Sequence, residues 1–216
     1  MLHSRDVKIA VLLPFDDTRM FSVHHIAPAV NLAINELNQN KAMGHKYNFS
    51  VQYNDSRCNI AEGINKAINF YIKRQVHVYF GPVCDFALAP VARQVGFWNL
   101  PLVSVGAMAR DFSLYRLTQY RLMTRVGPVN FRSLYYFFKE IMSIYRWHKI
   151  KMLYSKTGQD YLLKSLCHFS IEALHYDLES GVPKIQQDYF RVDENTDKDH
   201  LLRREIGLDY SVNTKP

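Results

Sequence analysis

The chain has 216 residues, 48% of them hydrophobic, which is enough to form one large domain or two smaller ones around an apolar core. The net charge is +7, yet the basic residues are spread along the chain and form no stripe with aromatic side chains, which argues against nucleic-acid binding. Apolar runs such as Ile9 to Phe15 are far shorter than the roughly 20 residues of a membrane span. We expect neither a transmembrane segment nor a signal peptide in this sequence.

The first half of the chain alternates short apolar strands with longer amphipathic helices. Ser22 stands where the N-cap of the first helix is expected. Because strict alternation of strands and helices requires parallel pairing with right-handed crossovers, this half is predicted to be a doubly wound α/β fold. In chain order, strands alternate with helices at residues 7–14, 22–39, 47–55, 60–71, 76–80, 86–97 and 101–105.

The second half continues the alternation after a polar connection at residues 112–119. Strands again alternate with helices, at residues 120–126, 130–147, 150–155, 161–178 and 186–192. We divide the chain into a complete first layer at 7–126, the start of a second layer at 127–192, and a polar, poorly ordered tail at 193–216. Because an unfinished sheet exposes an apolar edge, we interpret the chain as a fragment, a short isoform or a truncated gene model.

Catalytic chemistry has weak support in the sequence. Asp16, Asp17 and Asp55 stand at the ends of predicted strands as acidic residues do in receiver domains, but Asp55 ends the second strand instead of the third. The first strand leads into neither a GxGxxG nor a GxxxxGKS/T loop, and His24 and His25 have no partners for a metal site. We therefore predict that the protein is not an enzyme and has no metal site.

Residues 78–107 carry the most informative motifs. An apolar strand ends in Gly81-Pro82-Val83-Cys84, the next helix contains Ala89-Pro90-Val91-Ala92-Arg93, and Trp98 precedes the following strand. In these motifs the chain resembles the extracellular hormone-binding domain of the natriuretic peptide receptors.

The resemblance extends over residues 7–192. Cys167-His168-Phe169, followed by Glu172, is similar to a motif on the first helix of the second lobe in that family. The resemblance implies the periplasmic-binding-protein type I fold, in which two α/β lobes surround a cleft. The chain would contain a complete first lobe and part of the second.

A disulfide between Cys58 and Cys84 is also implied by the family. Both cysteines follow predicted parallel strands, and adjacent strands lie about 5 Å apart, so both would emerge at one carboxyl edge within disulfide reach. The alternative is two free thiols. Cys167 would pair within the second lobe of the family, but the chain has no partner for it.

Five residues match positions that contact the peptide hormone in the receptors. They are Phe86 and Arg93 in the first lobe and His168, Phe169 and Glu172 in the second. Two have alternative roles, since Arg93 could be a solvated helix residue and Phe169 could belong to the core. Cys84 stands where amino-acid-binding branches of the fold place a serine, so the pattern favours a peptide ligand.

The resemblance implies one structural ion and no other cofactor. The family holds a chloride against the backbone of the Gly-Pro turn, here Val83 and Cys84, together with a serine hydroxyl, for which Ser56 is the nearest candidate. Asn48 and Asn54 each begin an N-glycosylation sequon, which matters only in a secreted protein.

The family resemblance implies a receptor region on the extracellular side of the plasma membrane. Its partners would be a peptide hormone and a second copy of the chain, bound through the first lobe. The alternative is a non-enzymatic α/β interaction module or decoy that dimerises without binding hormone.

Overall fold

A computed structural model describes residues 4–127, 130–182, 184–207 and 210. These residues form two compact units. The first unit contains the described residues up to 127 and the short segment Tyr161–Leu163, and the second unit contains the others.

Five parallel strands form the sheet of the first unit. They are β1 (Arg5–Leu13), β2 (Tyr47–Asp55), β3 (Val78–Phe80), β4 (Leu102–Ser104) and β5 (Met123–Arg125). Their spatial order is β2-β1-β3-β4-β5, so the chain winds first to one side of β1 and then to the other. The prediction of a doubly wound parallel sheet is confirmed.

Four helices follow the first four strands of this sheet. They are α1 (Val23–Gln39), α2 (Ile60–Ile72), α3 (Asp85–Phe97) and α4 (Arg110–Leu114). Ser22 precedes α1 as predicted, but its hydroxyl does not cap the helix and lies 3.0 Å from Nδ1 of His25. The sequence analysis missed α4, because five residues are too few to show a helical period.

The core of the first unit is built around β1, whose residues from Ile9 to Leu13 are all buried. A continuous apolar run is expected of a parallel strand that is covered on both faces. Tyr79 of β3 is fully buried, and its hydroxyl donates to the carbonyl oxygen of Ala67 in α2 at 2.8 Å. This bond satisfies a polar group that would otherwise be costly to bury.

The second unit contains two parallel strands and two long helices. β6 (Lys149–Tyr154) pairs with β7 (Gln186–Arg191), and α5 (Phe131–Ile144) and α6 (Leu166–Ser180) contact each other. The core between these elements consists of six buried apolar residues, Tyr135, Met142, Met152, Leu174, Leu178 and Ile185.

Two elements begin three or more residues later than their apolar patterns predict. β5 begins at Met123 instead of residue 120, because the N–H of Tyr120 closes a turn by donating to the carbonyl oxygen of Tyr115. α6 begins at Leu166 instead of residue 161, because Ser165 has a φ of 62° and its N–H donates to the Asp160 carboxylate at 2.8 Å.

Part of the predicted tail is helical. α7 (Lys198–Leu201) is followed by a π-helical turn at Leu202–Ile206, and Leu201 is buried. Lys151 donates to the carboxylates of Asp188 and Glu205, which attaches this turn to the strands of the second unit. After Ile206 the structure describes only Gly207 and Tyr210. The poor order predicted for the end of the tail therefore stays a prediction.

Candidate functional site

Cys58 and Cys84 form a disulfide, as predicted, with their Cα atoms 5.4 Å apart. The reason given by the sequence analysis was wrong, because β2 and β3 are not adjacent and β1 lies between them. The chain after β2 turns back over the end of β1, where the N–H of Ser56 donates to the Leu13 carbonyl oxygen at 3.0 Å. Arg57 and Cys58 both adopt positive φ angles in this turn, 49° and 48°.

We call residues 55–58 and 81–84 the linked turns, because the disulfide joins them at the carboxyl edge of the sheet. Close backbone approaches restrict the second turn. Gly81 has a φ of 81°, and a Cβ at this position would collide with the Leu12 carbonyl oxygen. Gly106 lies against the turn from the other side, since a Cβ there would collide with the carbonyl oxygen of Val83. The backbone therefore requires glycine at both positions.

The linked turns contain buried hydrogen-bond donors that have no partner within the described residues. The hydroxyl of Ser56 has none, although this residue is 0% exposed. The N–H groups of Val83 and Cys84 also have none, and both residues are buried. Buried hydrogen-bond donors are normally paired, and an anion that accepted from these three donors would satisfy them.

Asp85 is a buried carboxylate that the sequence analysis did not identify. It is the first residue of α3 and is 4% exposed. Its carboxylate accepts hydrogen bonds from the N–H groups of Met108 at 3.1 Å and Ala109 at 2.7 Å. An acidic residue directly after the Gly-Pro-Val-Cys turn was the available signal, but acidic residues are common in the first turn of a helix.

Burial raises the pKa of Asp85 to about 6, although the backbone hydrogen bonds and the nearby Arg125 guanidinium act in the opposite direction. Burial also lowers the pKa of Arg125, and the Asp85 carboxylate partly offsets this effect. Arg125 donates from Nε to the Gly106 carbonyl oxygen at 3.1 Å and from Nη1 to that of Gly127 at 2.8 Å.

The two candidate peptide contacts of the first unit lie on α3. Phe86 is 42% exposed and follows Asp85 directly. Arg93 is exposed and lies two helical turns further on, so the two residues share one face of the helix. The Nε of Arg93 donates to Oε1 of Gln119 at 2.7 Å, and its guanidinium carbon lies 5.2 Å from the centre of the Tyr120 ring.

Arg93 also lines an open depression of about 400 Å³ on the first unit. The depression contains a second guanidinium, that of Arg121, and the exposed ring of Phe97. Arg93 is thus exposed but has neighbouring side chains as partners, and both the peptide contact and the alternative of a solvated helix arginine stay predictions.

The three candidate contacts of the second unit lie on α6. His168 is half-buried, and its ring centre lies 6.2 Å from that of Tyr154 and 6.0 Å from that of Phe169. Phe169 is half-buried, whereas Glu172 is exposed. His168 and Glu172 share a helix face because they are four residues apart.

The two sequons differ in accessibility, although both lie on the edge strand β2. Asn48 is exposed, and its Nδ2 donates to the Asp6 carboxylate at 3.0 Å. Asn54 is half-buried, and its sequon serine is the buried Ser56. Asn48 is the more accessible glycan acceptor in the folded chain.

The described residues include neither a metal-binding cluster nor a membrane-spanning helix, and Cys167 is a free thiol. Within residues 4–127, 130–182, 184–207 and 210, no cluster of three or more His, Cys, Asp or Glu residues could hold a metal. No helix in the same described ranges is long and apolar enough to cross a bilayer. Cys167 is a free, half-buried thiol, and burial together with the Asp160 carboxylate raises its pKa.

Comparison with known proteins identifies one family. The model described as the receptor family ligand binding region matches residues 25–176. Atrial natriuretic peptide receptor 3 of Rattus norvegicus is 31% identical over 185 residues, which cover 81% of this chain and 32% of that receptor. Atrial natriuretic peptide receptor 2 of Bos taurus is 29% identical over 126 residues, which cover 58% of this chain and 12% of that receptor. The chain thus spans about a third of the length of the receptor 3 relatives it matches.

Proposed function

The chain belongs to the family of receptor ligand-binding regions, with its periplasmic-binding-protein type I fold, and we propose that it is the extracellular ligand-binding region of a cell-surface receptor for a natriuretic-type peptide. The family match over residues 25–176 is the observation that carries this proposal. The role is non-catalytic, because the chain acts by binding. Ligands of open parallel sheets bind at the carboxyl ends of the strands, where the linked turns and Phe86 lie.

The peptide contacts the exposed face of α3 that contains Phe86 and Arg93. Phe86 supplies an aromatic surface, and Arg93 supplies a positioned guanidinium that suits a carboxylate of the peptide. Acidic side chains lie at the ends of β1 and β2, since Asp16 and Asp17 come shortly after β1 and Asp55 is the last residue of β2. Hydrogen bonds from Thr18 lower the pKa of Asp16, so it is charged at neutral pH and attracts a basic peptide despite the net positive charge of the chain.

His168, Phe169 and Glu172 are proposed as further peptide contacts, contributed by the second unit. The aromatic pair offers a partly exposed apolar surface, and Glu172 offers a charge for a basic side chain. We expect micromolar or weaker affinity for the isolated chain, because a few exposed side chains leave little free energy after the entropic cost of association.

A chloride ion fits the linked turns. The hydroxyl of Ser56 and the N–H groups of Val83 and Cys84 are buried donors without partners in the described chain, and an anion would satisfy all three. The ion would accept hydrogen bonds from these donors and stiffen the turns next to Phe86. We expect chloride, compared with gluconate at equal ionic strength, to raise the melting temperature of the wild type but not of Ser56→Ala. Equal shifts in the two proteins would reject the site.

The partner proposed for the exposed apolar ends of α2 and α3 is a second copy of the chain. Ile72 and Phe97 are 70% and 83% exposed, and the rings of Tyr71 and Trp98 stack 4.2 Å apart between the same helix ends. An exposed apolar patch of this kind is typical of an interaction surface. Phe97→Asp should shift a dimer to monomers in analytical ultracentrifugation, whereas Leu32→Asp, at an exposed position on α1, should not.

The same patch favours the second candidate function, a module that dimerises without binding hormone. A titration of the isotope-labelled chain with a natriuretic-type peptide, followed by NMR, separates the two functions. The receptor function requires saturable shifts of the Phe86 and Arg93 backbone signals, which Phe86→Ala weakens. Dimers without any such shift at millimolar peptide would favour the interaction module and contradict the proposed hormone binding.

A further inference from the structure

The fold brings together basic residues that the sequence spreads out. Because β1, β2 and β3 are parallel, all three begin at the amino edge of the sheet, opposite to the linked turns. We call residues 4–8, 41–47 and 73–78, from which these strands start, the basic edge. Its basic residues are Arg5, Lys8, Lys41, Lys46, Lys73 and Arg74, and its one acidic residue is Asp6. The basic edge therefore accounts for five of the seven net positive charges of the chain.

Hydrogen bonds join the three segments of the basic edge. The N–H of Arg5 donates to the carbonyl oxygen of Lys46 at 2.9 Å. The N–H of Lys8 donates to Nδ1 of His77 at 2.9 Å, and its Nζ donates to the carbonyl oxygen of Arg74 at 3.3 Å. The backbone positions of these basic residues are therefore fixed relative to one another.

The cations of the basic edge have no carboxylate partner within the part of the chain that the structure describes. Five of the six are exposed, and Lys8 is half-buried. The carboxylate of Asp6 accepts a hydrogen bond from Nδ2 of Asn48 at 3.0 Å instead. Like charges gathered on one edge repel each other, and an anionic partner that replaced their counterions would offset this repulsion.

The spacing of these cations suits a linear polyanion better than a single anion. Adjacent strands lie about 4.8 Å apart, so the starts of three neighbouring strands span about 10 Å, and β1 rises by about 10 Å between Arg5 and Lys8. A chain with anionic groups at intervals can pair with several cations over such distances. The aromatic residue of the basic edge, Tyr47, is half-buried, so this edge offers no exposed ring on which the bases of a single-stranded nucleic acid could stack.

We propose that the basic edge binds a sulfated linear polysaccharide through ion pairs between its cations and the sulfate groups. The choice of this polyanion rests on the proposed extracellular location, where such polysaccharides occur, whereas the basic edge itself does not depend on that location. The inference goes beyond hormone binding, because the basic edge and Phe86 lie at opposite ends of the strands. A chain bound in this way would be retained at the cell surface while its carboxyl edge stays free for the peptide.

The test measures the affinity of the whole chain for a heparin oligosaccharide by calorimetry at several salt concentrations. We expect the logarithm of the affinity to fall linearly with that of the salt concentration, because ion pairs release counterions. Lys46→Gln combined with Lys73→Gln removes two exposed cations, so it should weaken binding about tenfold and reduce the salt slope by about two. Lys156→Gln combined with Lys164→Gln is the control, since it removes the same charge from exposed positions of the second unit. It should weaken binding less than about twofold.

NMR locates the site on the chain. The oligosaccharide should shift the amide signals of the basic edge more than those of the linked turns. Shifts centred elsewhere, equal weakening by the two double variants, or no binding at physiological salt would overturn the proposal.

Other polyanions test the assignment to a sulfated polysaccharide. Hyaluronan, which has carboxylates but no sulfates, should bind more weakly than heparin, and so should double-stranded DNA and anionic lipid vesicles. Binding of any of these as tightly as heparin would reject the assignment. No hormone is present in these measurements, so their outcome is separate from that of the proposed function. A chain that bound heparin at the basic edge but no natriuretic-type peptide would keep this inference and lose the hormone-binding function.

Discussion

The disulfide between Cys58 and Cys84 crosses the carboxyl end of β1, a strand that neither cysteine follows in the chain. Cys58 follows β2 and Cys84 follows β3, and β1 lies between these strands in the sheet. The disulfide thus connects the turns that follow the two neighbours of β1, next to the buried donors of Ser56, Val83 and Cys84. The covalent link and the candidate anion site occupy the same small region of the carboxyl edge.

Removal of this disulfide should destabilise the first unit. The bond closes a loop with a sequence separation of 26 residues, for which the chain-entropy model gives about 3.5 kcal/mol. We expect Cys84→Ser to lower the unfolding free energy by about this amount and to reduce secretion, without a change of ligand preference. Cys167→Ser is the control and should cost much less. A thiol assay on secreted wild-type protein should find one free thiol per chain; three would contradict the account.

Glycine substitutions should separate the packed turn from the open part of α3. A Cβ at Gly106 would meet the Val83 carbonyl oxygen, so Gly106→Ala should lower the unfolding free energy by about 1–3 kcal/mol or more. Gly96 has no atom within 4 Å of an added Cβ and lies in α3, so Gly96→Ala should be neutral or stabilising by up to about 1 kcal/mol. Denaturant unfolding compares the two variants, and equal losses would argue against the tight approach at Gly106.

Protonation of Asp85 should stabilise the folded state relative to the unfolded state. Its pKa is raised from 3.8 to about 6 on folding, so the folded chain binds the proton more tightly. A difference of about two pH units corresponds to about 3 kcal/mol, which is gained as the pH falls from about 7 to about 4.

The difference in unfolding free energy between the wild type and Asp85→Asn isolates this effect from the other titrating groups. Denaturant melts at a series of pH values should show the wild type gaining stability relative to Asp85→Asn as the pH falls. A difference that is flat, or that shrinks toward acid pH, would contradict the raised pKa.

Lys151 should control access of proteases to the tail. Its hydrogen bonds to Asp188 and Glu205 outweigh the effect of burial and raise its pKa, so it is charged and attaches residues 202–206 to the strands. Chymotrypsin should cut wild-type protein after residue 193 before it cuts within 60–105, and Lys151→Met should accelerate the first cut. Lys156→Met, at an exposed position, is the control. A first cut within residues 60–105 would contradict the predicted order.

The sequence predicted the strands of the first unit well because β1 is a continuous apolar run, β2 alternates between apolar and polar residues, and clear helical periods separate the strands. It did not give the strand order, since the apolar pattern of β2 and β3 does not say which strand lies between them. For the same reason, the disulfide was predicted correctly, but on the wrong assumption that β2 and β3 are adjacent. Asp85 was missed because its role depends on the N–H groups of Met108 and Ala109, which are more than twenty residues away in the chain.

The central claim is that a natriuretic-type peptide binds at the carboxyl edge of the first unit, next to Phe86. Photo-crosslinking of such a peptide to the chain, with the modified residues identified by mass spectrometry, tests it most directly. We predict crosslinks on the exposed face of α3, in a peptide fragment that contains Phe86 or Arg93, and fewer crosslinks when excess unlabelled peptide competes. Crosslinks confined to α1 or absent from α3, or crosslinks that competitor does not reduce, would contradict the account.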